Sequence, residues 1–383
     1  MRNFSFYNPT RIHFGEGQIA SLTKEIPAGS RVLVTYGGGS IFQNGVWEQV
    51  EAALGEVHVS RFGGIEPNPQ YDTLMRAVAQ LRAERCDFIL AVGGGSVIDG
   101  SKFIAMAACY EGDPLELLTG KRATAALPLG CVLTLAATGS ESNGGGVVSH
   151  AGLKAKLPFA NPLLFPRFAI LDPRTTFSLP PRQVANGVVD AFVHTIEQYL
   201  TYPADAPLQD RYAEGLLQTL IEEGPKALKT PEDYGVRANL MWCATQALNG
   251  LIGCGVPQDW ATHLIGHELT ALYGLDHAQT LAVILPALLA ERREAKREKL
   301  LQYAERVWQL RDGDAEARID AAIATTENFF RSLGVGTRLA DYQLGEEVIE
   351  PVTANLVAHR MVALGEHRDI DPETSARILR RAL

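Results

Sequence analysis

Hydrophobic residues follow two different rhythms along the chain. In the first half, short apolar runs rich in β-branched residues recur at 31–36 (RVLVTY), 57–62 (VHVSRF), 87–92 (DFILAV), 130–135 (GCVLTL) and 168–171 (FAIL). Between the early runs the spacing becomes helical. Residues 41–54 form one such stretch, and 71–85 (YDTLMRAVAQLRAER) form another, with Leu74, Ala77, Val78 and Leu81 on one face. Strand, helix, strand in repetition predicts a mostly parallel sheet covered by helices. Residues 6–15 (FYNPTRIHFG) predict an additional strand or hairpin. After Leu179-Pro180-Pro181 nearly every segment reads as helix: 183–199, 210–228, 234–251, 260–272, 292–310, 315–333 and the C-terminal stretch. The expected organisation is therefore an α/β domain over 1–179 and an all-helical domain over 180–383. The alternating run 291–299 (ERREAKREK) reads as a solvated helix face.

Composition narrows the partners. The 383 residues carry a net charge of −9, so the overall field favours neither nucleic acid nor an anionic membrane surface. A bound anion must be held by local geometry. The five cysteines, Cys86, Cys109, Cys131, Cys243 and Cys254, are odd in number and none has CxxC spacing. That pattern predicts free thiols in a reducing compartment rather than disulfides or a thiolate metal site. The opening MRNFSFYNPT lacks an apolar signal core, and the most apolar stretch, 281–290, is interrupted by Pro286 and too short to span a bilayer. The expectation is a soluble, cytoplasmic protein.

Two glycine turns carry the first candidate chemistry. Gly37-Gly38-Gly39-Ser40 follows RVLVTY directly, and Gly93-Gly94-Gly95-Ser96 follows DFILAV directly. Open α/β sheets bind ligands where a strand ends and a helix begins. Glycines let backbone approach a phosphate there, and the helix offers unpaired N–H groups. A single such turn could be no more than a tight bend; two at equivalent places point to a nucleotide site. Neither is GxGxxG and neither is GxxxxGK[ST], which argues against the standard dinucleotide fingerprint and against a P-loop ATPase. Around the first turn stand only Tyr36, three glycines and Ser40. Without a carboxylate to repel a 2′-phosphate, this points to NADP(H) rather than NAD(H). A third segment, 134–143 (TLAATGSESN), is dense in hydroxyls and would line the same crevice.

The second candidate lies in the helical half. Asp190 and His194 are four residues apart in VVDAFVHTIEQ, and His263 and His267 are four apart in WATHLIGHELT, so each pair shares a helix face. His277 follows in GLDHAQT. Of the nine histidines, His13, His58, His150, His359 and His367 read as ordinary structural residues. The apolar neighbours Val188, Val189, Ala191, Phe192 and Val193 imply that the first pair is buried and needs partners. A divalent metal would satisfy carboxylate and imidazoles together, and such a donor set accepts Zn²⁺ or Fe²⁺.

Taken together, FGGIEPNP (62–69), AVGGGSVIDGSK (91–102), TLAATGSESN (134–143), NGVVDAFVHTIEQY (186–199) and the H-x3-H-x9-H of His263, His267 and His277 resemble the iron-containing (group III) alcohol dehydrogenases. The resemblance runs over nearly the whole chain and is strongest to the NADPH-dependent aldehyde reductase and butanol dehydrogenase branch. It implies a dinucleotide-binding α/β domain and an all-α domain in the dehydroquinate synthase-like architecture, with an active site in the cleft between them. It implies one catalytic Fe²⁺ or Zn²⁺ on Asp190, His194, His263 and His277, with His267 as a proton-relay residue. It places the cofactor on Gly37, Gly38, Gly39, Ser40, Asn68, Gly94, Gly95, Ser96, Asp99, Thr134, Thr138, Asn143 and Lys156. The YGGGS turn matches the NADPH-using branch, since other branches carry an acid in place of Gly39. The implied reaction is reversible hydride transfer between NADPH and short- or medium-chain aldehydes, by a homodimer.

Two other readings differ in testable ways. A carbon–oxygen lyase of the same architecture would show Glu in place of Asp190 and basic residues around His263, which are scarce here. A nucleotide-binding regulatory protein would bind NADPH without turnover and hold no stoichiometric metal.

Overall fold

The computed structural model describes every residue from Met1 to Leu383. The chain divides into two compact units, one made of residues 7–179 and 232–245, the other of 1–6, 180–231 and 246–383.

The first unit is built on strands β1 (Arg11–Phe14), β2 (Arg31–Tyr36), β3 (His58–Phe62), β4 (Phe88–Gly93), β5 (Leu129–Leu133), β6 (Gly145–His150), β7 (Ala155–Ala160) and β8 (Phe168–Leu171). Its helices are the single turn α1 (Leu22–Glu25), α2 (Val46–Leu54), α3 (Tyr71–Glu84) and α4 (Gly95–Ala108). Six strands form one sheet in the order β1-β8-β5-β4-β2-β3, and every pairing in it is parallel. The pleat sends alternate side chains to opposite faces. Leu33, Ile89, Ala91, Cys131 and Leu133 join one apolar cluster with α3 and α4. Val32, Val34, Phe88, Leu90, Val92 and Val132 join the other with α2. Burial on both faces explains why β4 and β5 have no exposed position and read as continuous apolar runs.

At three places the structure settles, adds to or corrects the local picture. Of the strand or hairpin expected at 6–15, the structure shows the strand, β1, which adds to the sheet edge beside β8. The chain after the hydroxyl-rich segment folds into an antiparallel pair, β6 with β7, where the glycine-rich sequence gave no strand signal. The run 291–299 is not a solvated helix face. The helix breaks before Arg297, and the Lys296 ammonium is buried between Asp259 (2.8 Å), Glu366 (2.7 Å) and the Leu200 carbonyl (2.7 Å). Three acceptors compensate the desolvation of one charge, which periodicity alone cannot reveal. Lys299 is buried too, against Asp210.

The second unit is helical: α5 (Pro181–Tyr199), α6 (Pro207–Lys229), α8 (Ala261–Tyr273), α9 (His277–Glu291), α10 (Arg297–Arg306), α11 (Ala315–Ser332), α12 (Ile349–Ala358) and α13 (Pro372–Arg381). Helix α7 (Tyr234–Leu248) is shared. Its segment up to Thr245 belongs to the sheet unit, where Trp242 meets Phe14 edge-on at 5.7 Å and the Thr245 hydroxyl donates to Glu141 at 2.5 Å. That segment departs from a single split at residue 180. No helix is long and apolar enough to cross a membrane, and all five cysteines are free thiols.

Candidate active site

Strands β2 and β4 are neighbours, with Tyr36 beside Val92. From β2 the chain goes outward to β3 on one side and later to β4 and β5 on the other. The sheet order therefore reverses between β2 and β4, the place where open α/β sheets take ligands. The turn of Gly37, Gly38 and Gly39 leaves β2 there, and the turn of Gly94 and Gly95 leaves β4 there. Gly39 has φ +91°, a conformation in which a side chain is strained, so glycine suits this position. Ser40 and Gly38 are exposed.

The remaining cofactor candidates brace these turns. Thr134 N–H donates to the Gly93 carbonyl at 3.0 Å, and a Cβ on Gly95 would collide with the Thr138 side chain. The 134–143 loop thus lies directly on the start of α4. Asn68, at φ +58°, donates its N–H to Ser96 Oγ at 3.3 Å. Asp99 accepts from Ser140 Oγ (2.6 Å) and from Val147 N–H (2.9 Å), so both of its oxygens hold the loop and β6. Burial pushes the Asp99 carboxyl up, against the nearby Lys102 and Lys156 cations. Lys156 is buried on β7, paired across from Ser149.

Lys102 was not singled out by the sequence reading, and it is the hub of this region. Its ammonium donates to Ser140 Oγ (2.8 Å), Asn143 Oδ1 (3.0 Å) and the Gly145 carbonyl (2.6 Å). Asn143 also closes its own loop, donating to the Gly139 carbonyl at 2.9 Å. Burial lowers the Lys102 pKa to about 8, with Asp99 opposing.

In the helical unit the expected ligands meet. Helix α5 carries Asp190 and His194 on one face, α8 carries His263, and His277 opens α9. The start of α9 is fastened to α5 through Asp276, whose carboxylate accepts from Asn186 Nδ2 and Arg182 Nε, each at 2.8 Å. Asn186 is one turn before Asp190, so the tie that caps α9 also sets His277 over Asp190. Asp190 Oδ1 lies 3.4 Å from His194 Nδ1, 3.8 Å from His263 Nε2 and 3.6 Å from His277 Nε2. The ligand atoms of Asp190, His263 and His277 are all within 4.8 Å of one another. Two ligands each about 2.1 Å from one ion sit roughly 3–4 Å apart, so this spacing admits a divalent cation. The His194 ring stacks on that of His263 with centroids 4.5 Å apart.

The donor chemistry also fits a metal. Buried His194 Nδ1 and His263 Nε2 have no hydrogen-bond partner, a costly state that a cation would relieve. Burial drives the His194 pKa down to about 4, keeping its imidazole neutral and able to ligate. His263 is different. Burial alone would depress it, but the Glu197 and Asp190 carboxylates at its two nitrogens raise it to about 9, so proton and metal compete there. His267 is buried one turn along α8, its ring 5.2 Å from that of His277.

Glu197 was the second omission. Its carboxylate contacts His263 Nδ1 and accepts Thr262 N–H at 2.6 Å. A signal was present: Glu197 lies seven residues after Asp190, two turns along the same face.

Family models match this arrangement over both units. The model described as iron-containing alcohol dehydrogenase covers residues 9–173, and the model for the C-terminal part of the Fe-containing alcohol dehydrogenase family covers 184–383. The chain belongs to the iron-containing alcohol dehydrogenase family. Within the family, it is 60% identical over 386 residues to the NADPH-dependent aldehyde reductase YqhD of Escherichia coli, covering all of both chains. The crystal structure of YqhD superposes with a TM-score of 0.98 over 100% of this chain and 99% of that one. NADH-dependent butanol dehydrogenase A of Thermotoga maritima is 34% identical, with a TM-score of 0.95 over 100% and 99% of the two chains. The family thus includes relatives named for each nicotinamide cofactor.

Proposed function

We propose that this protein reduces aldehydes to primary alcohols, reversibly, with NADPH as hydride donor and a divalent metal at Asp190, His194, His263 and His277. One observation carries the reading: three imidazole nitrogens surround a single buried carboxylate oxygen in a chain 60% identical to an NADPH-dependent aldehyde reductase. A bound Fe²⁺ or Zn²⁺ at Asp190, His194, His263 and His277 would supply Lewis acidity at the carbonyl oxygen. The chain's own residues do the rest. The N-terminus of α4 and the turns at Gly37–Gly39 and Gly94–Gly95 hold the dinucleotide phosphates, with Ser40 and Lys156 toward the 2′-phosphate and ribose. Asn68, Ser96, Asp99, Thr134, Thr138 and Asn143 orient those turns and the nicotinamide end. His267 relays the proton that the nascent alkoxide takes up.

The preference for NADPH is supported by the carboxylate-free turn, in which Gly39 stands at φ +91°. A homodimer working in the cytoplasm completes the proposal, and the set of free thiols supports a reducing setting. The deciding experiment is an aldehyde screen, butanal included, after reconstitution with Fe²⁺ or Zn²⁺, followed at the nicotinamide absorbance band. Oxidation of NADPH in clear preference to NADH is expected. Cofactor binding without turnover in either metal form overturns the assignment.

A further inference from the structure

We infer that Glu197 is a positioning residue whose carboxylate sets the tautomer of His263, so that Nε2 offers a lone pair instead of a proton to the metal. The inference rests on the metal reading proposed above. Glu197 is on α5, fully enclosed at 2% exposure. Its two oxygens have separate duties. Oε1 accepts the Thr262 N–H at 2.6 Å, and Oε2 meets His263 Nδ1. An ionised carboxylate only accepts, so Nδ1 must carry the hydrogen. When a metal displaces the second proton, the imidazole keeps one N–H, held on Nδ1 by Glu197, and Nε2 is bare. That nitrogen is the one 3.8 Å from Asp190 Oδ1, buried and without a hydrogen-bond partner of its own.

The backbone keeps Glu197 in register with the start of α8. Its carbonyl accepts the Asp259 N–H at 2.8 Å, while Asp259 Oδ1 accepts the Ala261 N–H at 3.0 Å. Thr262 lies in the first turn of α8, where no intrahelical carbonyl is available to its N–H. This donor is therefore committed to Glu197, and it decides what a glutamine would do. In Glu197→Gln the amide oxygen must face Thr262 N–H, because two donors cannot face each other. The amide NH₂ then faces His263 Nδ1, which is stable only as an acceptor. The imidazole hydrogen moves to Nε2 and blocks ligation. A role in packing alone predicts the reverse ranking, with isosteric Gln harmless and Ala damaging.

The test uses full-length wild type, Glu197→Gln and Glu197→Ala, each stripped and then titrated with Zn²⁺ against a chromophoric chelator. NADPH binding serves as the check that each variant is folded. The wild type should take up one zinc per chain. Glu197→Gln should bind zinc about 10- to 100-fold more weakly, the range for losing an outer partner of a ligating histidine, and no more tightly than Glu197→Ala. A Glu197→Gln protein that holds zinc as tightly as the wild type overturns the inference. If the Ala variant does not fold, the comparison of Gln with wild type decides alone. A wild type that takes up no zinc overturns the metal reading itself and the inference with it, so the two failures are told apart.

Discussion

In the sheet unit most of the groups assigned to the cofactor sit on turns that leave neighbouring parallel strands or on the first turns of α4, and much of their geometry comes from backbone: positive φ at Gly39, close approach at Gly95, an N–H from Thr134. In the helical unit the metal candidates are side chains on three helices, α5, α8 and α9, the α5 pair lying about 70 residues before His263, and their meeting depends on helix packing. The first kind of site is specified locally, so its parts can be recognised as motifs. The second is specified by convergence, so any one of its residues looks ordinary until the others are beside it. The contrast extends to how each is buttressed. Around the turns a buried cation, Lys102, gathers loop oxygens. Around the metal candidates a buried anion, Glu197, turns an imidazole.

If the two sites are independent in this sense, single substitutions should separate them. The largest effect is expected from His263→Ala: bound zinc or iron should fall by at least about 100-fold, beyond what outer partners cost. NADPH oxidation with butanal should vanish with it, while NADPH binding, read by fluorescence titration, stays. Retention of metal and activity would remove His263 from the site. Next is Lys102→Met, which strips three acceptors of one ammonium donor and should lower unfolding stability by about 3 kcal/mol. The deficit should depend on pH. Burial lowers the Lys102 pKa to about 8, whereas an unfolded lysine titrates near 10.4. Between those values the unfolded chain binds more protons than the folded one, so wild-type stability gains on the variant as pH rises, by up to about 1.4 kcal/mol per pH unit. Denaturant titrations from pH 7 to 10 that show a constant gap would refute this. The smallest effect is expected from Gly95→Ala. Its Cβ would meet the Thr138 side chain, so the loop must shift, and NADPH affinity should drop about 10-fold, near 1.4 kcal/mol. Zinc uptake should not change. Loss of metal in this variant would break the contrast drawn above.

The outcome at particular residues explains what could be read in advance. Both glycine turns, the strands that carry them and the helical character of the second half were legible, because strand and helix periods and glycine punctuation are local properties. Asp190, His194, His263 and His277 were legible as a candidate set through their i, i+4 spacing and the resemblance that joined them. Lys296 was misjudged, since a run of alternating charge looks the same whether its lysine reaches water or three buried acceptors. The β6–β7 pair escaped notice because Gly144, Gly145 and Gly146 carry no side-chain pattern.

The sequence by itself determined the parallel α/β unit, the helical remainder and which chemical groups were available, since these follow from periodicity and residue type along the chain. Only the tertiary structure decided which of those groups are partners. That Glu197 faces His263, and that Lys102 ties the Ser140–Gly145 loop, depends on how elements far apart in sequence pack. Hydrogen bonds act over about 3 Å in space, and nothing in linear spacing encodes which distant side chains come within it.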